Sequence, residues 1–343
     1  MASQDGGGFR LNVLNPGGND PEQHFESDAA PNERAHAPVN FHAYAACTRG
    51  SFLRSTSAAV AARRPVLLLL RGDFRSSERA FDELKKAGVP VAVSLKETGL
   101  HQIADQLSDR AKVERFMRMV AQADGCIAAT PEAADIYRAI RRESGRVEFI
   151  PTPYPLHDAH WDFSRPVAER RGIFVGTREW DIPSRNHIAA LIMARDLAQR
   201  TGETVTVYEF EGRAGARLVG QLGFAPNQLR ILTSRTTYAD YLRVLAGHRI
   251  VFQLDTSFVP GQVAGDALLC RLPCVGGNGA IDRLAHSATC GAGRSGEEMT
   301  RIAIELLTNS DAYQHAIAES QRNAAERLSF SGIAAQLQTF FGS

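Results

Sequence analysis

The sequence predicts an α/β protein of two Rossmann-like, doubly wound domains that face one another across a cleft. Three observations lead there. Short apolar runs of strand length alternate with helical patterns almost from end to end, the mark of parallel sheets joined by crossover helices. A proline-bearing stretch near the middle interrupts that rhythm, which then restarts. The chain of 343 residues also exceeds what one hydrophobic core sustains, since single cores stop growing near roughly 250 residues.

In the first half, strands are expected at residues 11–14, 65–70, 89–95, 126–129 and 147–150. Apolar residues at helical spacing predict helices at 52–63, 77–87, 100–107 and 111–123. Thr130-Pro131-Glu132 opens a further helix with a capping hydroxyl followed by proline. Residues 15–40, rich in Pro, Gly, Asn and Asp, show no period and read as a long loop, either mobile or functional. The prolines and histidines of 151–171 place the linker at 156–171, between a first domain over 9–155 and a second over 172–328. Residues 1–8 are expected to be disordered, and 329–343 to form a helix that packs back on the first domain.

The second half restarts with strands at 172–176, 204–210, 229–232, 249–254 and 273–276. Helices are expected at 186–200, 214–221, 238–246 and 262–270, then at 297–307, 312–328 and 332–341. Thr237 with Asp240, and Ser295 with Glu298, have the spacing of a capping box.

An apolar fraction of 44% and a charged fraction of 22% are those of an ordinary globular chain, so a substantial core is expected. A net charge of +1 with both signs interspersed offers no field to gather a phosphate backbone, which argues against nucleic acid as the main partner. The longest apolar run, 65–70, is far below the roughly 20 residues of a membrane-spanning helix, so no transmembrane segment is expected. Residues 1–8 carry acid and glycine rather than a basic flank and an apolar stretch, which reads as cytoplasmic rather than secreted. Five cysteines, an odd number, suit reduced buried thiols better than a disulfide framework.

Ligands of such sheets bind beyond the carboxyl ends of the strands, so the loops that follow strands hold the candidates. The strand RIVFQLD runs through the loop TSFVPG into the helix QVAGDALLC. Backbone N–H groups at that helix start, near Gly261, Gln262 and Val263, suit an anion such as a diphosphate, and Asp266, one turn further, suits ribose hydroxyls. An ordinary crossover with a surface carboxylate fits the same residues. In GIFVGTREWDIPSRNH a strand ends in a loop carrying Arg178 and Arg185, two guanidiniums suited to bidentate phosphate binding, with solvated surface arginines as the plainer reading. Arg71-Gly72-Asp73 also follows a strand but carries little weight. No Asp-x-Asp pair occurs, so no metal is expected, and helix dipole plus arginine would serve in its place.

These segments fall in the order of a known family. ADGCIAATPEAADIYRAI with VEFIPTPYPL, then GIFVGTREWDIPSRNHIAAL, TTYADYLRVLAGHRIVFQLD and GDALLCRLPCVGGNGAIDRL together resemble group 1 (family 4-like) glycosyltransferases of the GT-B fold. The resemblance covers residue 123 to the C-terminus, and the first domain more weakly. It implies that Arg178 and Arg185 hold the donor diphosphate, with Arg185 where the family usually has lysine. Asp266 falls on the second glutamate of the family's paired-glutamate motif, which contacts the nucleotide ribose, and Gly261 on a glycine of the loop between the two. Phe258 replaces the first glutamate, the carboxylate that touches the donor sugar in the family. In the first domain, Gly17 and Gly18 stand where the family's glycine loop lets backbone approach the donor, although a flexible linker fits too. Glu97 and His101 stand where the family places acceptor-side or catalytic groups, although surface positions suit them equally.

The resemblance implies a glycosyltransferase that moves a sugar from a nucleotide-sugar donor to an unidentified acceptor, retaining and metal-independent. No cofactor is expected, the nucleotide-sugar being a substrate, and a homo-oligomer stays open. Phe258 motivates an alternative, a catalytically silent GT-B module that binds a nucleotide or glycan. A nucleotide-sugar epimerase stays open as well, because a fold does not choose its chemistry. A dinucleotide-dependent oxidoreductase ranks last: no phosphate fingerprint follows the opening strand, and after Gly277-Asn278-Gly279 the third glycine is replaced by Asp282.

Overall fold

The computed structural model describes residues 8–25, 36–142, 145–177, 179–209 and 212–342. The chain divides into two compact units, Met1–His160 with Leu328–Ser343, and Trp161–Arg327.

The first unit holds seven strands: β1 (Asn12–Leu14), β2 (Gln23–His24), β3 (Ser51–Leu53), β4 (Val66–Leu70), β5 (Val91–Leu95), β6 (Gly125–Ala128) and β7 (Arg146–Phe149). They pair in the order β2-β3-β1-β4-β5-β6-β7, and every pairing is parallel except that of β2 with β3. Side chains alternate along each strand, so β4 serves two cores at once. Val66, Leu68 and Leu70 join Val91, Val93 and Leu95 under the helices Arg75–Lys86, Arg110–Gln122 and Pro131–Arg141. Leu67 and Leu69 enter the opposite core with Val13, Ala92 and Ile127, beneath the helices Asn40–Cys47 and Phe330–Gly342. A strand buried on both faces must read as an unbroken apolar run, as VLLLL does. The last helix lies so close to β6 that a Cβ on Gly125 would come within 2.4 Å of the Phe340 ring.

Three elements of this unit differ from expectation. Residues 52–63 do not form one helix: Phe52 pairs with Val13 in β3, and the helix starts only at Thr56, capped by Ser55 accepting from the Ala58 N–H. Gly50 admits this turn because the Leu11 carbonyl occupies the space of a Cβ. The long loop of 15–40 contains β2, and directly after it the helix Asn40–Cys47 was not foreseen. Six of that helix's eight residues are buried, so no amphipathic period marks it.

The second unit carries β8 (Ile173–Val175), β9 (Val205–Tyr208), β10 (Leu229–Leu232), β11 (Ile250–Phe252) and β12 (Cys274–Val275). All are parallel, in the order β10-β9-β8-β11-β12. The expected helix starts at Thr237 and Ser295 are present, each hydroxyl accepting from the N–H three residues on. The helix Ala280–Ala285 was not anticipated, being only six residues long and following a glycine turn. All five cysteines are free, and four of them are buried.

Strand order locates the place where a ligand fits. In the second unit the chain runs outward through β8, β9 and β10, then returns to lay β11 and β12 on the other side of β8. In the first it runs from β1 to β3, then returns to β4 beyond β1. Within each unit, loops leave in opposite directions at the switch point, β8/β11 in the second and β1/β4 in the first, which opens a crevice at the carboxyl ends of that unit's strands.

Candidate functional site

At the β8/β11 switch point of the second unit, three loops meet. Gly176 directly follows β8, and a Cβ there would lie 2.4 Å from Val263 Cγ1, so the strand end rests on the first turn of the helix Gln262–Leu269. Gly261 caps that helix at φ 94°, a left-handed conformation that favours glycine. The positive end of the helix dipole thus points into the crevice, beside the loop that follows β8.

Arg185 ends a short 3₁₀ turn, Pro183–Arg185, with its side chain only 15% exposed. Its Nε lies 2.7 Å from Glu179 Oε2, and its Nη1 donates to Asp255 Oδ2. Asp255, in the loop that follows β11, also accepts the Ser257 N–H at 2.8 Å. Asn186, at φ 49°, donates from Nδ2 to the Leu254 carbonyl at 3.0 Å and to Thr256 Oγ1 at 3.2 Å, and the Ser184 and Ser257 hydroxyls are 2.7 Å apart. The loops after β8 and β11 are therefore stitched together by side chains. Arg178 lies outside the described residues.

Asp266 sits one turn along the helix from Gln262, buried to 2% exposure, and accepts from the Tyr238 hydroxyl. Phe258 adopts φ 52°, which an aromatic residue rarely does, with its N–H held by Asn278 Oδ1 at 3.0 Å and its ring beneath the Arg283 guanidinium at 5.5 Å.

Under these loops lies Asp282, which the sequence presented only as a misfit in a glycine fingerprint. Its carboxyl accepts from Gln253 Nε2 at 2.9 Å, and a Cβ on Gly261, Gly277 or Gly279 would come within 2.9 Å of it. Burial pushes Asp282 up to about 8, and the nearby Asp255 carboxylate adds to the rise. The acid is thus neutral at pH 7 and needs no counter-ion beneath the loops. Asp255 was also missed, although it follows a strand and so stands where the strand-end rule directs attention.

In the first unit, the loops after β1, β4 and β5 meet in the same manner. The Arg71 guanidinium donates to the Gly17 carbonyl, and Gly17 itself is left-handed at φ 71°. Gly18 lies against the Asn15 amide, where a Cβ would be 2.2 Å from Nδ2. Asn15 donates to Asp20 at 2.7 Å, and Lys96 pairs with the same Asp20 oxygen at 3.2 Å. Burial raises the pKa of Glu97 against the opposing charges of Lys96 and Arg71, and its Oε2 is buried without a hydrogen-bond partner. His101 stands on the first turn of the next helix, Leu100–Gln106. Gly17, Gly18 and Glu97 are thus gathered at one sheet edge, tied through Arg71, which the sequence left almost without weight.

Among the described residues no group of three or more His, Cys, Asp or Glu side chains could hold a metal ion, and no helix is long and apolar enough to cross a membrane.

No protein-family model matches the sequence, and no curated protein matches it. Solved structures do. HepE from Anabaena in complex with UDP matches with a TM-score of 0.64 at 13% identity, over 84% of this chain and 81% of that one. The same protein in complex with UDP-glucose matches with 0.63 at 12%, over 97% and 99%. Sucrose-phosphate synthase from Thermosynechococcus elongatus matches with 0.61 at 12%, over 97% and 98%. These neighbours are glycosyltransferases of the GT-B fold, and at such identities the likeness establishes the architecture: the chain has the GT-B fold, with two Rossmann-like domains.

Proposed function

We propose that this protein is a glycosyltransferase that moves a sugar from a nucleotide-sugar to an acceptor, retaining and metal-independent in the manner of the group 1, family 4-like enzymes. The observation that carries the reading is the β8/β11 switch point, where a helix N-terminus capped by Gly261 and the largely buried guanidinium of Arg185 share one strand edge. The crystallised complexes of HepE with UDP and with UDP-glucose support the same ligand class.

In this reading the bond between sugar and diphosphate breaks, and negative charge develops on the departing diphosphate. The helix dipole at Gly261, Gln262 and Val263 stabilises it, together with Arg185 and Arg178. Donors fixed in place before the reaction cost no reorganisation, and the stitching of Arg185 to Asp255 and of Asn186 to Leu254 supplies that fixity. Asp266 serves the ribose, Gly17 and Gly18 allow close backbone approach to the donor, and Glu97 and His101 serve the acceptor side.

A second reading is favoured by Phe258: an aromatic residue held left-handed at the first-glutamate position describes a module that binds a nucleotide or glycan without turnover. One experiment separates the two. Calorimetry with UDP, GDP, ADP and dTDP and their sugars, paired with product analysis, should show donor binding together with transfer or hydrolysis. Binding without any product would leave only the silent module, and no binding by any of them would end the transferase reading and the nucleotide-binding form of the silent module.

A further inference from the structure

The sheet edge opposite the donor loops carries a second feature. At the amino ends of β8, β9 and β10, the Trp161–Arg327 unit forms a pocket of about 560 Å3, inside the roughly 300–1,000 Å3 range of small-molecule sites. Arg171 stands before β8, Asn227 before β10 and Arg230 within β10, while Arg165, Arg243 and His248 complete the wall.

Four guanidiniums therefore face one volume, and no Asp or Glu is among the described residues that line it. Arg243 is paired with Asp240, whereas Arg165, Arg171 and Arg230 have no ion-pair partner among the described residues. Arg171 Nη1 donates to the carbonyl of Arg170 at 2.7 Å, which fixes the direction of its fork. His248 Nδ1 lies 3.0 Å from the Val244 carbonyl and 3.2 Å from that of Leu245, acceptors only, so Nδ1 carries the proton. Burial lowers His248 to about 4, so the pocket's positive charge at neutral pH is that of the arginines. Gathered in one depression, these charges repel, and an anion carrying several charges relieves that repulsion while satisfying several forks at once.

We propose that this pocket binds a small polyanion, of the class of oligophosphates and multiply phosphorylated metabolites. Its concavity suits a compact molecule, and its three arginines without an ion-pair partner among the described residues suit at least two phosphate groups. The site lies at the far ends of strands of three or four residues from the β8/β11 crevice. It goes beyond the donor reading and does not depend on it.

The test is calorimetric titration of inorganic triphosphate into the full-length protein and into three variants. Saturable binding is expected with a dissociation constant below about 1 mM. Arg171→Ala/Arg230→Ala should weaken it by about tenfold or more, Arg171→Lys/Arg230→Lys should restore part of the loss, and Arg301→Ala, on an exposed helix face, should leave it unchanged. Both substituted side chains are exposed, and thermal melting checks that the variants fold; if the double variant does not, Arg230→Ala alone takes its place. The proposal is overturned if triphosphate shows no saturable binding, or if the pocket variant loses no more affinity than Arg301→Ala does.

Discussion

Arg185 combines two demands that usually conflict. A guanidinium that is to meet a diphosphate must be fixed, yet a side chain 15% exposed needs partners of its own, and Glu179 and Asp255 provide them. Charge-assisted hydrogen bonds contribute about 1.5–3 kcal/mol each, so Arg185→Ala should weaken nucleoside diphosphate binding by about tenfold or more by calorimetry, with Arg185→Lys intermediate. Unchanged affinity in Arg185→Ala would remove it from the site. Phe258 poses the complementary test. If the missing carboxylate limits turnover, Phe258→Glu should raise product formation by about tenfold or more while leaving nucleoside diphosphate affinity near that of the parent; equal rates would show that this position does not govern transfer.

At the scale of elements, contacts between loops and helices carry the geometry. Gly176 is small because Val263 stands where a Cβ would be. Gly176→Ala must push the helix Gln262–Leu269 away from β8, at a cost of about 1–3 kcal/mol for overpacking. Urea denaturation should show that loss and calorimetry a weakened nucleotide affinity, while the second change Val263→Ala should recover part of the stability. Stability equal to the parent's would mean that strand and helix are not in register as described. The same scale explains what sequence patterns could reveal. β4 was evident from its apolar run, and the Ser295 cap from its spacing to Glu298, because both signals are local. The helix Asn40–Cys47 and strand β3 were hidden, because burial on nearly every side erases the period on which such a reading depends.

Over the whole molecule, buried titratable groups set opposing pH arms. Burial lowers His42 to about 3, with the neighbouring His36 adding to the effect, and lowers His187, His248 and His286 to about 4. The unfolded chain takes up these protons near pH 6.5 and the folded one does not, so stability should fall as pH drops from about 6.5 toward 4. Asp282 acts in the other direction. Its folded value of about 8 lies above the ordinary carboxylate value of 3.8, so its contribution is complete below 3.8 and is lost as pH rises through 8. Thermal melting should therefore show a maximum near about pH 6.5, and Asp282→Asn should flatten the decline between about pH 6.5 and 8. A variant that loses stability with pH as steeply as the parent would place the alkaline arm elsewhere.

Local pattern alone determined the α/β class, most of the strands and the strand-end loops that carry Arg185 and Gly261, since periodicity, capping and turn residues act over a few positions of chain. Only the tertiary structure decided what those loops enclose. Asp255 meets Arg185 from 70 residues away, Asp282 collects glycines from two loops, and Arg71 reaches Gly17 across 54 residues. Such meetings depend on which strands lie side by side, and strand order is set by long-range packing of β8 against β11 and of β1 against β4, which no local spacing encodes.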